Sequence, residues 1–191
     1  MMLPNILTVS RFFLTGAYIY FILQSSLSEK LIALGFFIAA SITDYLDGYL
    51  ARKMKCESNF GKIMDPIADK FLMLSSFLLF YQMDLMALWM VIVVFIREIG
   101  ITLIRIAAIY NGKVFAAEKA GKVKTVLQIV AVYFVLFLIV FIVMDVPGAA
   151  WSSFLIIWKM LTDILIFVAT IITIYSGYSF LKNNYSQLIR K

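Results

Sequence analysis

The chain has 191 residues, of which 63% are hydrophobic and only 15% are charged, whereas soluble domains carry about 25% charged residues. Histidine is absent and Cys56 is the single cysteine, which excludes imidazole chemistry, an intramolecular disulfide and a thiolate metal cluster. The net charge of +6 favours contact with anionic lipid headgroups, and no soluble segment presents the basic residues to nucleic acid. The composition predicts an integral membrane protein with a single all-α domain over residues 1–191.

Six apolar segments follow one another along the chain, each near the length of about 20 residues that a helix needs to cross a bilayer. Short polar breaks separate them. Lipid offers no partner to backbone groups outside a helix or a closed barrel, and no alternating pattern typical of barrel strands occurs. The predicted fold is therefore a six-transmembrane-helix bundle, with spans at about 5–24, 31–52, 61–82, 86–110, 121–144 and 150–180.

Lysine and arginine are distributed unevenly among these breaks. The connections at 52–62 and 111–124 and the C-terminal tail are rich in them, while the breaks near 83 and 147 contain none. Basic loops remain on the cytoplasmic side of a membrane. Both termini and the two basic connections are therefore expected to face the cytoplasm, in a bacterial-type cell membrane.

The second and third predicted helices carry four aspartates. Asp44 and Asp47 are three residues apart and Asp65 and Asp69 are four apart, so each pair projects from one face of its helix. A carboxylate near the bilayer centre costs about 2.5–3.5 kcal/mol on insertion scales, and four together would also repel one another. Two divalent ions would neutralise them and hold a diphosphate. Because only oxygen ligands are available, Mg²⁺, Mn²⁺ and Ca²⁺ all suit this site, and two Mg²⁺ or Mn²⁺ ions are expected.

Small and basic residues accompany the aspartates. Gly48 and Ala51 leave room beside the acids for a nucleotide, and Gly61 opens the third helix on the same side. Arg52 lies one turn after Gly48, and its planar fork can bind a phosphate. Any one of these residues alone would be explained by helix packing, but together they favour a site for a nucleotide-linked substrate.

These residues form the string D-x2-D-G-x2-A-R-x8-G-x3-D-x3-D, which is matched at every fixed position. The string resembles the signature of the CDP-alcohol phosphotransferases, and six helices in a chain of this length is similar to that family's core. The resemblance implies that an acceptor hydroxyl attacks the β-phosphorus of a CDP-linked substrate and releases CMP. It also implies that Asp44, Asp47 and Asp65 bind metal, that Asp69 is the catalytic base and often a ligand, and that the protein is a homodimer.

Segments that flank or extend the aspartate string narrow the choice of substrates. The runs L-P-N-I-L-T-V-S-R, D-P-I-A-D-K, I-R-E-I-G-I-T-L-I-R and G-K-V-K-T-V-L-Q are similar to family members that use CDP-diacylglycerol as donor and sn-glycerol 3-phosphate as acceptor. The same resemblance places Asn5 and Thr8 near the nucleotide. A sibling enzyme that uses inositol phosphate, serine or phosphatidylglycerol is the alternative. A divalent-cation transporter is a more remote one, because intramembrane acids also mark ion pathways.

Four cations in the second half of the chain are candidates for binding the acceptor phosphate. Arg97 and Arg105 lie eight residues apart on the fourth helix, so they lean toward a common side about 12 Å apart. Lys122 and Lys124 begin the fifth helix. The alternative for Arg97 is an ion pair with Glu98, and for the lysines it is a role in membrane orientation. The cost of burying arginine favours a functional role for the two arginines.

Overall fold

The computed structural model describes the backbone of residues 3–54, 59–110 and 119–189 and the side chains of 9–43, 70–108 and 119–185. All regular secondary structure within these ranges is helical, which confirms the all-α class. The helices are α1 (Leu3–Ile22), α2 (Leu27–Met54), α3 (Asn59–Gln82), α4 (Leu88–Tyr110), α5 (Lys119–Met144) and α6 (Ala149–Ile189).

Two helices extend beyond the predicted spans. α2 begins at Leu27 instead of residue 31 because Glu29 Oε2 accepts a 3.1 Å hydrogen bond from the backbone N–H of Ser26. This bond is one half of a capping box, which satisfies a helix start. α6 continues to Ile189, past the predicted end at 180, and Phe180 and Asn184 in this extension are 2% and 8% exposed. Packing, not apolar length, therefore determines where α6 ends.

Two described helices are long and apolar enough to cross a membrane, namely Lys119–Met144 and Ala149–Tyr185, with mean hydropathies of 3.1 and 2.2. A shorter apolar segment covers Val9–Ile22. α4 carries three charged residues, Arg97, Glu98 and Arg105, and is not among these candidate spans. The full set of six membrane spans therefore remains a prediction.

The described residues form two compact units. The first takes those within Met1–Leu79 and Ile139–Pro147, and the second takes those within Phe80–Leu138 and Gly148–Lys191. In the first unit, Tyr18 packs on Phe37 with ring centroids 5.4 Å apart, and Phe21 stacks on Phe36 at 5.6 Å. Because the partners on α2 come in the reverse order, α1 and α2 are antiparallel.

In the second unit, α5 runs antiparallel to α6. Gln128 Nε2 donates to Thr173 Oγ1 at 3.0 Å, and Trp158 Nε1 donates to the Phe134 carbonyl at 3.1 Å. α4 runs parallel to α6, since Trp89 contacts Phe167 and later residues of α4 contact later residues of α6. Of these three helices, α4 and α5 carry the cationic residues predicted to bind the acceptor.

The buried face of α6 is rich in hydroxyl groups. Thr162, Thr170 and Thr173 are at most 1% exposed, and each donates to the carbonyl four residues earlier at 2.7–2.8 Å. Such bonds satisfy a hydroxyl within its own helix. Small side chains also let neighbouring helices approach closely, which brings polar groups of α4 and α5 within reach of α6.

Candidate functional site

The four aspartates lie on regular helical backbone, Asp44 and Asp47 in α2 and Asp65 and Asp69 in α3. Spacings of three and four therefore place each pair on one face of its helix. Their side chains lie outside the described residues, as do the surroundings of Gly48, Ala51, Arg52, Gly61, Asn5 and Thr8. No group of three potential metal ligands occurs among the side chains that are described. The metal site thus stays a prediction. The four carboxylates would offer only oxygen ligands, which fit Mg²⁺ or Mn²⁺.

Three charged side chains of the second unit, Arg97, Glu98 and Lys124, form a buried group that we call the charge cluster. Arg97 Nη1 lies 3.1 Å from Glu98 Oε1, and Lys124 Nζ donates to the same oxygen. The side chains are 13%, 7% and 4% exposed, respectively. One carboxylate oxygen thus binds cations from two different helices.

Arg97 is held by three helices. Its Nη2 donates a 2.8 Å hydrogen bond to Ser176 Oγ on α6, in addition to the contact with Glu98. A Cβ added to Gly177 would lie 3.4 Å from Arg97 Cγ, and one added to Gly121 would lie 3.7 Å from Nη2. The two glycines therefore leave room for the arginine between α5 and α6. Arg97 Nε is buried and has no hydrogen-bond partner within the described chain, so the guanidinium has donor capacity left.

Arg97 also borders a cavity of about 340 Å³ between α4 and α6. The rest of the lining is aliphatic or glycine, and includes Ile101, Ile104, Ile174 and Gly177. Ile96 and Ile174 in this lining are 69% and 47% exposed, so the cavity opens at the surface of the second unit.

Lys124 is the sixth residue of α5, which begins at Lys119. At a rise of about 1.5 Å per residue it lies roughly 8 Å from the start of that helix. The cluster is thus close to the connection at 111–124 that the sequence predicts to face the cytoplasm. A water-soluble acceptor could reach it from that side.

The other two predicted cations have different environments. Arg105 is exposed and its guanidinium lies 5.3 Å from the centroid of the Phe180 ring, a distance typical of a cation–π contact. The cost of burying an arginine therefore favours a functional role for Arg97, which is buried, but not for Arg105, which is exposed. Lys122 is also exposed. The structure thus brings Arg97 and Lys124 together through Glu98, and leaves Arg105 and Lys122 outside the charge cluster.

Two members of this site were not predicted as functional. Glu98 was considered only as an alternative partner of Arg97, although a carboxylate within an apolar helix itself indicates a cationic partner. Ser176 carries no signal in the sequence, because serine is common on packed membrane helices. Its contact with Arg97 depends on the rotation of α6, which spacing along the chain does not determine.

Two of the described helices have the length and hydropathy of membrane spans. The model of the CDP-alcohol phosphatidyltransferase family matches residues 1–175, so the chain belongs to this family of enzymes. This result confirms the resemblance drawn from the aspartate string and disfavours the transporter alternative.

Relatives include three proteins named CDP-diacylglycerol–glycerol-3-phosphate 3-phosphatidyltransferase. The Bacillus subtilis protein is 38% identical over 153 residues, which cover 80% of this chain and 72% of the relative. The Rickettsia felis protein is 32% identical over 181 residues, covering 94% and 93%. The Mycoplasma genitalium protein is 35% identical over 187 residues, covering 97% and 76%. The similarity thus extends over most of the chain.

Proposed function

We propose that this enzyme transfers the phosphatidyl group of CDP-diacylglycerol to sn-glycerol 3-phosphate, giving phosphatidylglycerophosphate and CMP. Relatives named for this reaction align with most of the chain. This similarity is the observation that carries the choice of acceptor, and the buried charge cluster supplies cations that can bind a phosphate.

The acceptor phosphate is proposed to bind at Arg97 and Lys124. Arg97 Nε has no hydrogen-bond partner within the described chain, so the guanidinium retains a donor. Charge-assisted hydrogen bonds to phosphate are about twice as strong as neutral ones. Serine, as an alternative acceptor, has no phosphate for Arg97 and Lys124 to bind. Arg105 and Lys122 are proposed to attract the acceptor from outside the cluster.

The donor is proposed to bind at the aspartate string, with its diphosphate on Mg²⁺ or Mn²⁺ ions, two in number, held by Asp44, Asp47, Asp65 and Asp69. Carboxylate oxygens are the ligands that these ions prefer. The bound ions would neutralise the diphosphate and make its phosphorus more electrophilic. Around the nucleotide and diphosphate we place Gly48, Ala51, Arg52, Gly61, Asn5 and Thr8.

Asp69 is the proposed general base. It accepts the proton of the acceptor hydroxyl, the hydroxyl oxygen forms a bond to the β-phosphorus, and the bond from that phosphorus to CMP breaks. A carboxylate has a low intrinsic basicity, so its contribution depends on its position next to the hydroxyl. Arg97 and Lys124 contribute by fixing the acceptor, which lowers the entropic cost of the encounter.

The whole chain is proposed to be a six-span bundle with both termini and the site on the cytoplasmic side, because the basic connections are retained there. That side is also where glycerol 3-phosphate, a charged and water-soluble compound, is available. The protein is proposed to act as a homodimer, as the family resemblance implies.

An acceptor panel tests this function. Purified protein is incubated with labelled CDP-diacylglycerol, Mg²⁺ and one of glycerol 3-phosphate, inositol phosphate, serine or phosphatidylglycerol. CMP release and the mass of the lipid product are then measured. We expect efficient turnover with glycerol 3-phosphate alone, and a clear preference for another acceptor would replace this assignment with a sibling reaction.

A further inference from the structure

Glu98 connects the two cations of the charge cluster. It has no role so far in the proposed donor site or acceptor site. It lies on α4, and one of its oxygens accepts from Arg97 on the same helix and from Lys124 on α5. The three groups are almost fully buried. The carboxylate is therefore a fixed anchor between cations that come from two helices.

Both cations bind this anchor. Arg97 also donates to Ser176 Oγ on α6. Lys124 has a flexible four-carbon stem that ends in a point charge, and Glu98 Oε1 accepts a hydrogen bond from its ammonium group. A change in the length of the acidic side chain at residue 98 should therefore displace the ammonium group of Lys124.

We propose that Glu98 is a positioning residue that holds the Lys124 ammonium where the acceptor phosphate binds. The inference rests on the proposed function, because it assigns a role in binding the same acceptor. Glu98 itself, being an anion, makes no favourable contact with the phosphate. Its effect is exerted through Lys124.

Glu98→Asp separates positioning from simple charge balance. The substitution keeps the negative charge but withdraws the carboxylate by about 1.5 Å, one C–C bond. If Glu98 positions Lys124, the acceptor KM should rise about tenfold, the size expected for one weakened hydrogen bond to a charged group. The donor KM and kcat should stay within about twofold of wild type, since the aspartates are unchanged. An unchanged or lower acceptor KM would show that Glu98 only balances charge and would overturn the proposal.

Asp163→Glu is the matched control. Asp163 pairs with Lys159 at 2.9 Å in the same unit, with side chains 51% and 54% exposed. The substitution likewise changes the length of a lysine's acidic partner by one methylene group, and we expect it to leave both KM values unchanged. If Asp163→Glu raised the acceptor KM as much as Glu98→Asp does, altering any ion pair would impair acceptor binding. That result would contradict the proposal.

A double variant keeps the test decisive if Glu98→Asp does not fold. The double variant Glu98→Gln, Lys124→Met removes the carboxylate together with the lysine that it binds, so no buried lysine loses its acidic partner. The control for it is Lys124→Met alone. If Glu98 acts through Lys124, the acceptor KM should be equal in both variants. A further tenfold rise in the double variant would show that Glu98 acts independently of Lys124.

The wild-type enzyme distinguishes the inference from the proposed function. If wild type does not use glycerol 3-phosphate, both fail together. If wild type uses it while Glu98→Asp has a normal acceptor KM, only the positioning role fails.

Discussion

Arg97 Nη2 on α4 donates a 2.8 Å hydrogen bond to Ser176 Oγ on α6, across 79 residues of sequence. A serine hydroxyl fixes the guanidinium without neutralising it. The one carboxylate bonded to Arg97 in the described chain is Glu98, which is shared with Lys124. The arrangement thus holds a buried arginine in place through contacts to both α4 and α6.

Metal removal should abolish activity. Four carboxylates are the only ligands predicted for the divalent ions that bind the donor diphosphate. Excess EDTA should therefore stop CMP release, and added Mg²⁺ or Mn²⁺ should restore it. Asp44→Asn and Asp65→Asn should each be inactive, with an unchanged elution volume and helical circular dichroism. Asp163→Asn, at an exposed acid outside the string, serves as the control. Appreciable turnover in EDTA would rule out the metal assignment.

Asp69→Asn should separate the general base from the metal ligands. If Asp69 mainly accepts the proton of the acceptor hydroxyl, the variant should still bind CDP-diacylglycerol in the presence of Mg²⁺. Its kcat should fall by about 10²–10⁴, the usual contribution of a general base. Donor binding is measured by equilibrium titration and kcat by CMP release. Complete loss of donor binding would instead identify Asp69 as chiefly a metal ligand.

Arg97→Met and Lys124→Met should each raise the acceptor KM by about ten- to a hundredfold, because a hydrogen bond to a charged group contributes roughly 1.5–3 kcal/mol. The donor KM should change little. Lys159→Met removes an exposed lysine of the same unit and should not affect either constant. Equal damage to donor and acceptor kinetics in the cluster variants would mean that these cations support the fold or the nucleotide site.

Gly177 offers a steric test of the position of Arg97. A Cβ at this residue would lie 3.4 Å from Arg97 Cγ, which is ordinary van der Waals contact, so Gly177→Ala should have nearly wild-type kinetics. Gly177→Leu places further atoms against the arginine and should raise the acceptor KM about tenfold, as for the loss of one hydrogen bond to a charged group. The two variants are compared in the same acceptor titration. Identical kinetics would show that Arg97 does not need its observed position.

Much of the helical framework could be predicted from the sequence, because apolar length and polar breaks determine where membrane helices form. The start of α2 at Leu27 could also have been predicted, since Ser26 and Glu29 have the spacing of a capping box. The end of α6 was not, because Phe180 and Asn184 are buried by tertiary contacts that no local pattern encodes.

The charge cluster shows where prediction of the site ended. Arg97 and Glu98 are adjacent and point about 100° apart on a helix, so spacing alone does not predict their ion pair. Lys124 joins them from another helix, 26 residues after Glu98. Residue types suggested that Arg97 and Lys124 bind the acceptor, but which residue links them depends on how α4 and α5 are rotated.

Acceptor selectivity tests the central claim most directly. The measurement is kcat/KM for glycerol 3-phosphate divided by kcat/KM for glycerol, which lacks only the phosphate, in wild type, Arg97→Met and Lys124→Met. We predict that wild type strongly prefers glycerol 3-phosphate and that each variant loses at least about tenfold of that preference, since one contact to the phosphate is removed. A wild type that does not discriminate between the two, or variants that retain the full preference, would contradict the account.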